Sequence, residues 1–212
     1  MKRQIAINKL LFSVICVLFS VILLFVVFSK PACVVAIKHI GGKERNLSSK
    51  YDNQVVKSCC EGYLLYGEGE SDTEHIFAQS WAKKLKKKNI CNDYYNLRTA
   101  NKEANDYRGD KGFKTVAHTD DTKKEFGYIE GDWFEPFDEY KGDIARTLLY
   151  VYYNYDLTEK DVKDYFSVSE MIKWAKSDKV SPEERKFAEN VYKKKGYKNL
   201  FIISPDIVNA IA

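Results

Sequence analysis

Residues 74–81 read EHIFAQSW, and this stretch decides how the remainder of the chain is interpreted. It follows a glycine-rich turn, so residues 74–77 are predicted to be extended and residues 81–88 helical. Neighbouring side chains on a strand point to opposite faces of a sheet. Glu74 and His75 therefore serve one site only where the strand bends, and the turn residues around them favour such a bend.

Outward from this stretch, the C-terminal half of the chain has the pattern of a helical domain. Residues 141–155 carry apolar side chains at helical spacing, at Ile144, Ala145, Leu148, Leu149 and Tyr152. Ser181 and Pro182 form a helix start signal, and Gly196 is a helix stop signal. Together with the extended segment, these patterns predict the α+β fold class, with a small β-rich centre and several helices, most of them C-terminal.

The N-terminal residues form a separate apolar segment. Residues 10–28 are almost wholly apolar, with no charge between Lys9 and Lys30, and about 20 such residues span a bilayer as a helix. We therefore predict that residues 1–33 contain a transmembrane helix that anchors the protein on the outer face of the cell membrane. Two alternatives stay open: a signal peptide that is cleaved, which makes the protein secreted, and a lipoprotein signal with the lipid on Cys33.

The predicted domain organisation has three parts. Residues 1–33 are the signal peptide or membrane anchor. Residues 34–50 are predicted to be a polar linker, because paired glycines and paired serines interrupt regular structure there. Residues 51–212 form the remaining domain, which we expect to be a monomer.

Net charge does not point to a nucleic-acid partner. The chain has 34 Lys and Arg against 30 Asp and Glu, which gives +4. Residues 1–33 contain four of the basic residues and no acidic one, so the exported part is formally neutral. Any surface that binds phosphate must then be a local patch. One candidate is the lysine run at residues 83–88, although such runs usually indicate only a solvated helix face.

The cysteines of the exported part are Cys59, Cys60 and Cys91. Three thiols cannot all pair within one chain. Export permits one disulfide, from Cys91 to either of the other two, and the sequence does not decide whether it forms. No CxxC pair occurs, so a zinc site built on thiolates is not predicted.

His75 is the histidine whose surroundings point to chemistry. The other two, His39 and His118, lie in the predicted linker and in a polar loop, where plain surface histidines are common. Hydrolysis of a phosphodiester needs a base for water, and neutral imidazole supplies one near neutral pH. It also needs a hard cation such as Mg²⁺, which takes oxygen ligands from side chains of the type of Glu74 and Asn105.

Three arginines are candidates for binding the substrate phosphates. A guanidinium group matches the geometry of a phosphate with paired donors, although arginine is as often structural. The candidates are Arg98, Arg108 and Arg146.

Four ordered blocks across residues 60–208 resemble the endonuclease I family of secreted or periplasmic nucleases. The first block, at residues 74–81, is similar to the family pattern E-H-hydrophobic-x-P-Q-S-W/F. The others are NDYYNLR at residues 92–98 with KEANDYRGD at 102–110, FEPFDEYKGDIAR at 134–146, and the segment at 174–205. A single short motif would be weak, but four blocks in order are specific.

The resemblance implies a fold and a mechanism. It implies a ββα-metal (His-Me) finger core embedded in a mostly helical domain. His75 would be the general base, and Glu74 and Asn105 would be the ligands of one divalent cation, Mg²⁺ or another such as Ca²⁺ or Mn²⁺. The implied activity is a largely sequence-non-specific endonuclease that cuts DNA, RNA or both to 5′-phosphorylated fragments.

Three hypotheses about function follow. The first is a metal-dependent endonuclease acting on external nucleic acid, with the membrane contacted through the N-terminal segment. The alternative is a catalytically inactive surface protein of the same fold that binds nucleic acid. A third is an anchored structural domain with no ligand. Retention of Glu74, His75 and Asn105 favours the enzyme, because a binding protein has no need of a base beside a metal ligand.

Overall fold

The structure of the protein is a computed structural model that describes residues 30–40, 47 and 49–212. The apolar segment at residues 10–28 lies outside the described residues, so its role as an anchor or a signal peptide stays a prediction. In the part of the chain that the structure describes, no helix is both long enough and apolar enough to cross a membrane.

The first described helix, α1 (Lys30–Ile40), crosses the predicted boundary between anchor and linker. The linker prediction is wrong for residues 34–40, which are helical. Cys33 and Ile37 are one helical turn apart and both buried, because this face packs against two helices of the domain, at residues 138–154 and 207–211. Cys33 thus lies in the domain core, a position that does not suit a lipid-bearing residue.

A two-stranded antiparallel sheet contains Glu74 and His75, the first two residues of the EHIFAQSW stretch. Strand β1 (Ser71–His75) pairs with β2 (Leu97–Asn101), and His75 lies opposite Leu97. Their connection contains the short helix α3 (Gln79–Lys84) and two 3₁₀ turns; the earlier helix α2 spans Asn53–Cys59. The extended prediction is confirmed as far as His75, whereas the helix predicted for residues 81–88 starts earlier and stops at Lys84.

Helix α4 (Lys102–Arg108) follows β2 without a loop. Asn101 caps its start, since the Asn101 side chain accepts a hydrogen bond from the backbone N–H of Ala104 at 3.0 Å. Because strand and helix are joined directly, α4 is held against the two-stranded sheet.

A second, four-stranded sheet follows, with the strand order β3-β6-β5-β4. Its strands are β3 (Gly112–Phe113), β4 (Lys123–Lys124), β5 (Gly127–Glu130) and β6 (Trp133–Pro136). The contact of β3 with β6 is parallel and the other two are antiparallel. The two small sheets and the surrounding helices confirm the α+β class.

The remaining elements of the described chain are all helices, as expected for its C-terminal half. The helices are α5 (Asp138–Asn154), α6 (Glu159–Val162), α7 (Val168–Ser177), α8 (Pro182–Lys195), α9 (Leu200–Ile203) and α10 (Ile207–Ile211). Ser181 caps α8 by accepting from the Glu184 N–H at 3.0 Å, and Gly196 ends it with a left-handed φ of 79°. Helix α5 is buried from Gly142 to Val151, so it is the central helix of the core.

The cysteines form no disulfide among the described residues. Cys59 and Cys60 are buried next to each other, and burial raises the pKa of the Cys59 thiol to about 11. Cys91 is half-buried and lies in the connection between β1 and β2. The disulfide that export would permit is therefore not formed in this structure.

Candidate active site

A polar cleft of about 330 Å³ lies where the end of β1, the start of α3 and helix α4 meet. Glu74, His75, Asn105 and Arg108 all line it, together with Gln79. The structure thus brings together the predicted base and both predicted metal ligands, which come from two elements about 30 residues apart in sequence. The cleft is the candidate active site.

Local structure explains how two adjacent side chains reach one cleft. Strand β1 ends at His75, and the chain then turns around Asn96, a fully buried residue. The Asn96 side chain accepts from the N–H of Phe77 at 2.6 Å and donates to the carbonyl of Phe77 at 3.0 Å. This clamp fixes the bend that the sequence required, so Glu74 and His75 both contribute to the cleft wall.

Glu74 is almost fully buried at the base of the cleft. Its Oε1 accepts from Arg108 Nη1 at 3.0 Å and from the Tyr66 hydroxyl at 3.3 Å. Burial raises the pKa of Glu74, and the positive charge of Arg108 opposes that rise. The carboxylate is thus held in place by two donors from different parts of the chain.

Arg108 is placed in the cleft wall but is committed to the protein. Besides its ion pair with Glu74, it donates to the carbonyls of His75 at 3.0 Å and Ile76 at 2.9 Å. Its guanidinium also lies over the ring of Trp81 at 4.9 Å, and only 1% of Arg108 is exposed. Arg108 therefore positions the end of β1, and its contact with a substrate phosphate stays a prediction.

Both ring nitrogens of His75 have partners. Nε2 lies 3.2 Å from the carbonyl oxygen of Cys91, and Nδ1 lies 3.2 Å from the side-chain nitrogen of Gln79. A carbonyl only accepts, so Nε2 carries the proton and Nδ1 carries the lone pair. Burial lowers the pKa of His75 to about 4, with the nearby charge of Arg108 acting in the same direction. His75 is therefore a neutral imidazole at neutral pH, with its lone pair on Nδ1.

Asn105 faces the same cleft from α4. Its backbone carbonyl accepts the N–H of Gly109 at the helix end, while its half-buried side chain makes no hydrogen bond to another described residue. Asn105 and Arg108 are three positions apart, so they share one face of α4. One side chain thus braces the strand and the other is available to a ligand.

The structure corrects the prediction for Arg98 and Arg146, which do not line the cleft and are fully buried. Arg98 donates to the carbonyls of Tyr95 and Leu97 and to the Thr147 hydroxyl. Arg146 pairs with Asp143 and Glu184. A guanidinium satisfies several buried acceptors at once, so both arginines serve the core, and a phosphate cannot reach either.

The residues that sequence reasoning missed are those that hold the site. Gln79 lies in the EHIFAQSW stretch and Asn96 in the NDYYNLR block. Both residues are therefore part of the family resemblance, but no role was predicted for either. Tyr66 had no such signal. It is a buried non-glycine residue with a positive φ of 68°, and only the tertiary structure shows that its hydroxyl reaches Glu74.

A sequence model of the endonuclease I family matches residues 38–206. The chain belongs to the endonuclease I family. This confirms the resemblance, and the match starts inside α1, within the segment predicted to be a linker.

Curated relatives point the same way. An extracellular ribonuclease of Bacillus subtilis (strain 168) is 32% identical over 157 residues, which cover 68% of this chain and 54% of the relative. An extracellular ribonuclease of Bacillus amyloliquefaciens is 29% identical with the same coverage. The chain spans about half the length of the curated relatives it matches.

Proposed function

We propose that the protein is a metal-dependent, sequence-non-specific endonuclease that hydrolyses phosphodiester bonds of extracellular nucleic acid. One observation carries the proposal: Glu74, His75 and Asn105 line the same polar cleft, and His75 is held there as the tautomer with an unprotonated Nδ1. Family membership and the names of the relatives support it.

His75 acts as the general base in this proposal. Its Nδ1 takes a proton from water, and the resulting hydroxide attacks the phosphorus atom. The bond from phosphorus to the 3′-oxygen breaks, and the leaving 3′-oxygen takes a proton from solvent, which gives a 3′-hydroxyl and a 5′-phosphate. The Cys91 carbonyl, bonded to Nε2, orients the ring and stabilises the imidazolium that forms. In this structure the Gln79 side-chain amide faces the lone pair of Nδ1, so the water would replace that hydrogen bond when Nδ1 takes its proton.

The donor set of the cleft suits a hard divalent cation. Among the described residues, no three His, Cys, Asp or Glu side chains cluster as metal ligands, which disfavours zinc. Mg²⁺ instead uses one or two protein oxygens and keeps several waters; Ca²⁺ and Mn²⁺ also accept oxygen ligands. Glu74 and Asn105 would hold the ion. When bound, it would neutralise the phosphate and stabilise the leaving oxygen.

The fold around the cleft supports the same assignment. Strands β1 and β2 and helix α4 are consecutive in space and carry His75, Glu74 and Asn105 between them. We propose that this unit is a ββα-metal (His-Me) finger, with base and one ligand on the strand and the second ligand on the helix.

Substrate and location follow from the relatives. Both are named extracellular ribonucleases, so we propose RNA as a substrate of this protein outside the cell, with DNA as a second substrate to be tested beside it. Attachment through the N-terminal segment remains the prediction made from residues 10–28.

The test is a digestion of RNA and DNA of equal length by the purified full chain, titrated with Mg²⁺, Ca²⁺ or Mn²⁺. We expect cleavage that EDTA stops, and products that carry 5′-phosphate ends. Cleavage that continues in EDTA would show that the reaction does not depend on a metal ion. Binding of both nucleic acids without any cleavage would support the inactive binding protein instead.

A further inference from the structure

A groove of about 480 Å³ lies beyond the C-terminal end of α3. One wall is formed by lysine side chains, those of Lys83, Lys86, Lys87 and Lys88. The other wall is formed by residues at the end of α5, namely Asn154, Tyr155 and Asp156. The groove therefore concentrates positive charge on a chain whose exported part is formally neutral.

The backbone at Lys86 adopts a conformation that glycine prefers. Lys86 has a φ of 57°, its N–H bonds the Lys83 carbonyl at 3.1 Å, and the N–H of Lys87 bonds the Ala82 carbonyl at 2.9 Å. This is the Schellman end of a helix, where the left-handed residue is usually glycine. Helix α8 of the same chain uses glycine at its end, Gly196. A lysine at the equivalent place costs conformational energy that a glycine would not.

The lysines of the groove differ in their partners. Lys87 donates to the Tyr155 carbonyl at 3.0 Å, and Lys84, outside the groove, pairs with Asp164 at 3.9 Å. Lys83, Lys86 and Lys88 are exposed and form no ion pair with a described residue. Three ammonium groups are thus available to an anion, with Asp156 as the acidic side chain of the groove wall.

Helix α3 connects this groove to the cleft. It starts with Gln79, which contacts His75 Nδ1, and ends at the lysines. At a rise of about 1.5 Å per residue, Gln79 and Lys86 are roughly 10 Å apart along the chain. A nucleic-acid strand advances about 3.4 Å per nucleotide in a duplex, so the groove lies about three nucleotides from the scissile phosphate.

We propose that Lys83, Lys86 and Lys88 form an accessory site for the phosphodiester backbone of the substrate, on one side of the cleavage position. The proposal rests on the proposed nuclease function. A membrane surface fits less well, because such surfaces combine lysines with exposed apolar side chains, and none of the exposed large hydrophobic residues of the described chain lies in this groove. These lysines would contact phosphates and not bases, so they would increase affinity for nucleic acid without adding sequence preference.

The first test removes the three charges with K83Q/K86Q/K88Q. Its matched control is K193Q/K194Q/K195Q, an equal charge change in another exposed lysine run at a helix end. Dissociation constants are measured for a single-stranded 20-mer, with the His75→Ala substitution in all proteins to prevent cleavage. Each lost phosphate contact weakens binding about threefold at moderate salt, so the triple variant should bind about ten to thirtyfold more weakly, and its salt slope should fall by about 2. The control should stay within about twofold.

Cleavage separates this proposal from the proposed function. With His75 intact, the ratio of kcat/KM for the 20-mer to that for a trinucleotide should fall about tenfold in the triple variant and stay constant in the control. If the parent cleaves both substrates and the ratio does not change, the groove proposal is wrong and the nuclease stands. If the parent cleaves neither substrate, the nuclease proposal is wrong, and the 20-mer dissociation constants still decide whether the groove binds phosphate.

The second test uses the backbone conformation. Lys86→Gly relieves the left-handed strain, so Tm should rise by about 2–4 °C, while affinity for the 20-mer should fall about threefold. Gly196→Lys is the mirror control and should lower Tm without changing affinity. A Lys86→Gly protein that is more stable and binds the 20-mer as before would show a purely structural lysine and overturn the proposal. Loss of binding to anionic vesicles but not to the 20-mer in the triple variant would do the same.

Discussion

Two buried Glu–Arg pairs in this protein have the same chemistry and different surroundings. Glu74 and Arg108 are 3.0 Å apart, and Glu184 and Arg146 are 2.7 Å apart, with all four side chains almost fully buried. The first pair borders a cleft shared with His75. The second is enclosed by helices. Burial and perturbed pKa values alone therefore do not identify a functional site, and access to a solvent-filled cleft does.

The environments of the two arginines explain the difference. Arg108 holds backbone carbonyls at the end of β1, so its pair sets the geometry of the cleft. Arg146 lies in α5 and reaches Glu184 in α8 and the carbonyl of Asp178 after α7, so its pair joins three helices. Changes at the cleft pair should alter activity, and changes at the core pair should alter stability.

The largest expected effect is at the cleft. His75→Ala should lower kcat by about two to four orders of magnitude, because removal of a general base has effects of that size, and Tm should change little. His118→Ala is the matched control, since His118 pairs with Glu135 at 3.0 Å and does not line the cleft. Initial rates of RNA cleavage are measured for both variants and the parent. Equal rates for His75→Ala and the parent would reject the assignment of the base.

Next in size is the core pair. Arg146→Ala leaves the Asp143 carboxylate and the Glu184 carboxyl group buried without their partner, and breaking a buried pair in this way lowers the free energy of unfolding by about 3–5 kcal/mol. Urea unfolding measures the loss. Activity per folded molecule should match the parent, and a fall in that quantity comparable to the fall for His75→Ala would show that the two regions are not separate in function.

A smaller effect concerns pH and stability. Burial, followed by the negative charge of Asp143, raises the pKa of Glu184 from 4.5 to about 8 in the folded protein. The folded state then binds the proton more tightly than the unfolded state, so this contribution to stability is complete below about pH 4.5 and is lost as pH rises through 8.

Glu184→Gln isolates that contribution, because the amide does not titrate. The free energy of unfolding of the parent, relative to Glu184→Gln, should fall between pH 5 and pH 8.5. Urea unfolding at both pH values measures it, and the same difference at the two values would contradict a raised pKa.

The smallest expected effect is at Tyr66. Tyr66→Phe removes the hydroxyl that donates to Glu74 at 3.3 Å and keeps the ring. A hydrogen bond to a charged group contributes about 1.5–3 kcal/mol, and this long one should lie at or below the lower limit. Activity should fall about threefold to tenfold with the metal requirement unchanged. A rate equal to that of the parent would mean that Arg108 alone holds the carboxylate.

Much of the helical framework was predictable because its signals are local. The apolar spacing around Leu148, the cap at Ser181 and the stop at Gly196 each depend on a few neighbouring residues, and all are confirmed. The helix after Trp81 was predicted too long, because its end depends on Lys86, a residue with no stop signal that adopts the left-handed conformation.

The site was predictable in its chemical groups and not in its supports. Glu74, His75 and Asn105 were found through a resemblance, and the structure brings them to one cleft. The three candidate arginines look alike in the sequence, because a guanidinium serves a phosphate, a buried carbonyl or an aromatic ring equally well. Only tertiary structure separates Arg108 at the cleft from Arg98 over the ring of Phe187.

The central claim is that Glu74, the carboxylate of the cleft pair, binds the metal used in cleavage, whereas Glu184, the carboxylate of the core pair, does not. The most direct test is a Mg²⁺ titration of RNA cleavage by the parent, Glu74→Gln and Glu184→Gln, the same substitution in each pair. We predict at least about a hundredfold lower activity for Glu74→Gln, with its Mg²⁺ midpoint shifted upwards, and a parental midpoint for Glu184→Gln. A Glu74→Gln protein with the parental midpoint and rate would contradict the account.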